Sequence, residues 1–170
     1  MVPKAEPMST EAQVLAHTME KTREYTRMYL DKLVDQDPHR RFVCEGKELN
    51  TVYWLVAHIA STQNGLLLMA TDGPFEKFSW AKHFGRSSAG LPPEQCPPFA
   101  EVLGTFHRIH DKAIAHIASL SGSALTGPNR TGIAIIGTTV RDVIVHAIRH
   151  EGLHTGHLSW LCILYGIKTM

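Results

Sequence analysis

The sequence predicts an all-α protein, a four-helix bundle, on three observations. Four long stretches carry apolar residues at three- and four-residue steps, the period of a helix with one buried face. Residues that start and stop helices stand at their ends. The connections hold no alternating apolar pattern long enough for a sheet. At 170 residues the chain is expected to form one domain, 1–170, large enough to bury a real core.

Residues 1–8 read as a loose leader. Thr10 with Gln13 forms a capping box, and Leu15, Met19, Thr22, Tyr29 and Leu33 follow at helical steps to about Val34. Asp37-Pro38 ends this first helix, because the residue before a proline avoids the helical region. Residues 35–49 are a linker. Asn50 is placed to cap a second helix with Val52, Leu55, Val56 and Ile59 on its apolar face, running through Leu66–Met69 to Asp72-Gly73-Pro74. Residues 74–98 lack any period and contain Pro92-Pro93 and Pro97-Pro98; a loop of that length often covers a site. Its aromatics Phe75, Phe78 and Trp80 are read mainly as the loop's own packing. Pro98 opens a third helix to about Leu120, faced by Val102, Phe106, Ile109 and Ile117. Residues 121–137 form a polar connection with room for a short extended piece at Ile133–Ile136. Thr138 or Thr139 caps the last helix, Asp142 completing a box at the second choice, and Gly166 stops it after roughly 27 residues, about 40 Å.

Composition narrows the function. The formal net charge is +1, so no strong field draws the chain to nucleic acid or an anionic membrane, and neither partner is expected. No segment reaches the ~18 unbroken apolar residues of a membrane span. Met1-Val2-Pro3-Lys4 leads into polar residues, unlike a secretory signal. Cys44, Cys96 and Cys162 are scattered, with no Cys-x-x-Cys, which makes the cytoplasm the expected compartment. The unusual count is histidine, at eleven.

His146, His150, His154 and His157 fall at spacings of four, four and three on the last helix, along one face. Imidazoles at i and i+4 can reach one ion without bending the backbone. His58 lies on the core face of the second helix. Bundle interiors are where side chains of different helices build metal sites, so His58, His150 and His154 form a candidate metal triad. Three neutral imidazoles with one open position suit a catalytic centre rather than a closed structural one. His17 and His39 read as surface residues, and His107, His110 and His116 as solvated or satisfied by neighbours.

His150-Glu151-Gly152-Leu153-His154 also fits the zinc-protease pattern His-Glu-x-x-His. That reading fails: no Glu follows Glu151, only 16 residues follow His154, and His157 stands where the extended motif needs Gly. A di-iron carboxylate site needs two Glu-x-x-His motifs, and only Glu151–His154 supplies one.

Two stretches resemble a known family. Asn50-Thr51-Val52-Tyr53-Trp54-Leu55-Val56-Ala57-His58 is similar to the second helix of the DinB/YfiT-like superfamily of metal-binding four-helix proteins. His150 through Leu158 resembles that family's last-helix motif, His-x-x-x-His-x-Gly-Gln-hydrophobic, with His157 in place of the Gln. The family also often carries a bulky residue or His where Leu153 stands. The resemblance implies His58, His150 and His154 as metal ligands, an up-down-down-up bundle with long crossover loops, and commonly a homodimer. His157 could then be an outer partner or a fourth ligand. His146 could compete for ligation, although no family position supports it.

The resemblance further implies activation of a low-molecular-weight thiol, such as bacillithiol, mycothiol or glutathione, for attack on an electrophilic small molecule. Zinc is the first expectation, with nickel or iron possible, since imidazole suits all three. Glu151 is a candidate general base or outer acceptor, or simply a solvated carboxylate. Arg141 and Arg149 are candidate anion contacts. The alternatives are a metal-dependent hydrolase that uses water, and a non-catalytic metal-binding stress or interaction protein.

Overall fold

The computed structural model describes residues 9–169; the expected leader at 1–8 lies outside them. The first helix, α1, spans Glu11–Lys32, and both halves of the Thr10/Gln13 capping box are made. Its buried positions are Ala12, Ala16, Met19, Arg23, Thr26, Tyr29 and Leu30, with Leu33 just beyond. Leu15 and Thr22, expected on this face, are only half-buried. Leaving out Tyr29, the seam steps by fours and threes from residue 12 to 33, a heptad spacing that carries an arginine and a threonine at core positions.

The linker holds a small hairpin not foreseen in the sequence. β1, Val43–Cys44, pairs antiparallel with β2, Lys47–Glu48. Glu45 and Gly46 turn it with φ of 48° and 76°, both left-handed as a tight hairpin turn requires. Helix α2 spans Val52–Gln63 and is capped by Thr51 rather than Asn50: the Thr51 side chain accepts from Trp54 N. Both residues are good caps, so sequence alone does not separate them. Ten of its twelve residues are buried, and it crosses the core. It continues as a π-helical turn, Asn64–Leu68, and a 3₁₀ turn, Met69–Thr71, before Asp72 adopts a left-handed φ of 59°.

The loop that follows contains short 3₁₀ turns at Ala81–Phe84 and Pro93–Gln95. Trp80 and Phe84 are buried against α2, whereas Phe75 is exposed. Helix α3 spans Phe99–Ala118, starting directly after Pro98. The 121–137 connection holds a one-turn helix α4, Gly122–Leu125, and Ala134–Ile136 is a 3₁₀ turn instead of the extended piece expected there. Helix α5 spans Val140–Leu164, 25 residues, with its Thr139/Asp142 capping box complete.

α1 packs mainly on α5 and α3, and α2 on α3 and α5. Their interior divides into two apolar clusters. One gathers Leu30, Leu33, α2 residues Val52–Ala57, Ile59 and Ala60, and Val102, Phe106, Leu158 and Leu161. The other gathers Ala12, Ala16, Met19, Leu66–Leu68, Ile109, Ala113, Val143, Ile144 and Ala147. Buried Arg23, Thr26, Gln63, Glu151, His154 and Thr155 fall, along each helix, between the segments that feed the two clusters. A polar layer therefore interrupts the core at the level of the histidines.

Candidate metal centre

His58 is carried by the apolar middle of α2, where it has no alternative but to face the interior. Trp54, one turn earlier, stacks on its ring at 4.5 Å. The loop brings the Phe84 carbonyl to 2.6 Å from His58 Nδ1. A carbonyl only accepts, so Nδ1 carries the proton and the lone pair of Nε2 points the other way.

That lone pair meets α5. His58 Nε2 lies 3.1 Å from His150 Nε2, and His154 Nε2 lies 3.1 Å from the same atom. The three rings are the group of potential ligands that the described residues bring together, all three ligand atoms within 4.8 Å of one another. His146 is not among them; its ring centre is 5.9 Å from that of His150. His157 is exposed, with its Nδ1 3.2 Å from His154 Nδ1. It stands behind His154 and can accept the Nδ1 proton, which leaves His154 Nε2 free toward the cluster.

The proton count of this cluster argues for a cation. His150 Nε2 can place its one proton in only one of its two contacts. The other contact then holds no proton between its two nitrogens; with His150 Nε2 unprotonated, its lone pair instead meets that of His58 Nε2. An added proton would relieve this, but burial, then the neighbouring rings, hold His150 at a pKa of about 4 and His154 at about 3. Burial also pushes His58 down, against the opposing bond to Phe84. The rings are thus neutral near pH 7, the form that ligates metal. Bonds of about 2.0–2.1 Å place ligand nitrogens roughly 3.3 Å apart around a tetrahedral ion and about 2.9 Å apart at right angles. The observed 3.1 Å lies between these values. The residues fit a divalent ion.

Glu151 faces away from this cluster. Both side chains of the Arg23–Glu151 pair are essentially inaccessible, at 0% and 1% exposure, so the carboxylate is not solvated. Arg23 donates from Nε to Oε1 at 2.5 Å and from its second terminal nitrogen to Oε2 at 3.2 Å. Thr26 donates to Oε1 at 3.0 Å, and Gln63 Nε2 to Oε2 at 2.5 Å. Those four bonds match the carboxylate's accepting capacity. Arg23 also donates to the Phe106 carbonyl at 3.1 Å and lies over the Phe106 ring. Burial lowers its pKa, and the Glu151 charge opposes that. Sequence reasoning singled out Glu151 but missed Arg23, Thr26 and Gln63. The heptad seam of α1 was the available signal for the first two.

The remaining candidates lie outside the cluster. Arg141 pairs with Glu11, and Arg149 is exposed on α5. His39 stacks on Tyr53, His110 contacts Glu20, and His116 contacts Thr71.

A mostly helical fold whose core presents three convergent imidazoles on two helices defines a candidate histidine metal protein. The chain belongs to the DinB superfamily, whose family model matches residues 18–158. No curated protein matches the sequence.

Proposed function

We propose that this protein is a metal-dependent enzyme that activates a low-molecular-weight thiol for transfer to an electrophilic small molecule, acting as a cytoplasmic homodimer. The observation that carries the reading is the convergence of His58, His150 and His154 nitrogens at 3.1 Å spacing in a half-enclosed site. The pairing of α1 with α5 and α3, and of α2 with α3 and α5, fits the family's up-down-down-up four-helix bundle with long crossovers.

Under this reading His58, His150 and His154 hold the ion, with zinc the first choice and nickel or iron next. The chemistry supplied when such an ion is bound is acidification of a thiol or water at its open position. His150, the least buried ligand, marks the side from which substrate approaches. His157 fixes the tautomer of His154 and lines an apolar cavity of ≈ 490 Å³ with Leu49, Trp160, Leu161 and Leu164. That volume suits a small organic molecule. Glu151, saturated by Arg23, Thr26 and Gln63, supports α5 rather than taking a proton.

Turnover of model electrophiles with and without added thiol, before and after chelation, tests the proposal. Thiol-dependent turnover that chelation abolishes supports it. Metal-dependent turnover without thiol would assign the hydrolase instead. Loose, substoichiometric metal with no turnover would leave a non-catalytic bundle.

A further inference from the structure

We infer that the buried Arg23–Glu151 pair, with Thr26 and Gln63, is a positioning device that sets the rotation and height of α5 against α2 so that His150 and His154 meet His58. This rests on the reading that those three histidines hold a metal ion.

The geometry is specific. Glu151 follows His150 directly and precedes His154 by three residues. Its carboxylate is gripped from α1 by Arg23 and Thr26 and from α2 by Gln63. Gln63 lies five residues beyond His58 on the same helix. Helices α2 and α5 are therefore tied twice, at Gln63–Glu151 and at His58–His150. Thr155 holds α5 to α1 as well: its hydroxyl is 2.7 Å from that of Thr26.

The apolar clusters on either side cannot do this alone. Leu, Ile, Val and Ala contacts fix separation well but specify rotation weakly, because one apolar contact replaces another at little cost. An imidazole nitrogen stands roughly 7 Å from its helix axis, so a 10° rotation of α5 would shift it by about 1 Å. Metal bonds tolerate about 0.2 Å. Bidentate arginine–carboxylate geometry is directional enough to hold that tolerance. The layer is also electrically neutral as a pair, so it adds no net charge beside the ion.

A charge pair of this kind is a poor source of stability, since an apolar pair of similar volume is often as good or better. Its role and its stability contribution can thus be separated. The test compares wild type with the double variant Arg23→Met/Glu151→Leu and with Thr26→Val. Three quantities are read: urea unfolding of the metal-free protein, zinc Kd by competition with a chromophoric chelator, and the visible spectrum of the Co2+ form. The double variant is expected to unfold at wild-type or higher urea. Its zinc Kd should nevertheless rise about 10- to 100-fold, the range seen when an outer partner of a ligand is lost. Thr26→Val should weaken zinc severalfold, and both variants should alter the Co2+ spectrum. Wild-type Kd and spectrum in a folded double variant would overturn the inference. If the double variant does not fold, an unchanged Kd in Thr26→Val does so. Zinc binding that survives His154→Ala, or is missing from wild type, instead removes the metal reading and this inference with it.

Discussion

Gln63 donates to Glu151 at 2.5 Å across the same two helices that His58 and His150 join at 3.1 Å. One contact is a hydrogen bond to a buried carboxylate, the other a contact between ring nitrogens that favours a shared cation. The first is complete within the chain; the second is not.

Removing one partner of the buried pair is expected to be far more damaging than removing both. Arg23→Met leaves the Glu151 charge enclosed with only Thr26 and Gln63 to solvate it. The expected loss is about 3–5 kcal/mol in urea unfolding at pH 7. A loss under about 1 kcal/mol would mean that water reaches the carboxylate, contrary to its burial.

Elemental analysis checks the triad directly. Wild type is expected to retain about one divalent ion per chain, and His58→Ala, His150→Ala and His154→Ala each to lose it, because two imidazoles alone bind weakly. His146→Ala should retain full occupancy, given the 5.9 Å between the centres of its ring and that of His150. A histidine whose replacement leaves occupancy unchanged is not a ligand.

The helices were legible because period and caps agree: Thr10/Gln13 and Thr139/Asp142 bond as their spacing indicates. The triad was legible because His150 and His154 share a face by spacing alone and His58 stands on the apolar face of the second helix; the family resemblance implied the same three residues. Three features were not. The 43–48 hairpin is too short and too exposed to leave an alternating pattern. Arg23 is a charged residue in a core seam, and its burial depends on Glu151, 128 positions away. The carbonyl that orients His58 is a backbone atom of Phe84, and any residue there would supply it.

His110 should make the fold acid-sensitive. It is buried, with Nε2 at 2.7 Å from Glu20 and, among the described residues, no partner for Nδ1. Burial, then the charge of Arg23, hold its pKa at about 3; Arg27 and His107 push the same way and Glu151 opposes them. A second proton would also put an N–H at Nδ1 with nothing to accept it. The unfolded chain binds a proton on this residue near pH 6.5, roughly the free imidazole value. Its contribution to stability is therefore full above about 6.5 and declines as pH falls toward 3, by about 1.4 kcal/mol per unit. His110→Gln keeps a donor for Glu20 and cannot titrate. The stability difference between wild type and this variant should shrink by that slope from pH 6 to pH 4. A difference that does not change with pH would show that His110 is already protonated in the fold.

The outer face of α5 carries the proposed dimer contact. Leu153 and Trp160, seven residues apart and so on one face, are 61% and 65% exposed, an unusual degree for a large indole. Between them Gly156 has open space where a Cβ would stand, with no atom of the described residues within 4 Å of it. A second copy laying its own α5 there would bury both apolar side chains and bring the two helix backbones close at the glycines. Trp160→Glu places a charge at the centre of such a contact; Trp160 borders the cavity beside His157 but is no ligand, and it lies roughly a quarter to a third of a turn round α5 from His150 and His154. Sedimentation equilibrium should give twice the chain mass for wild type and the chain mass for the variant, with metal occupancy the same in both. A wild-type protein that sediments as a single chain, or a variant that still pairs, would place the partner of this face elsewhere.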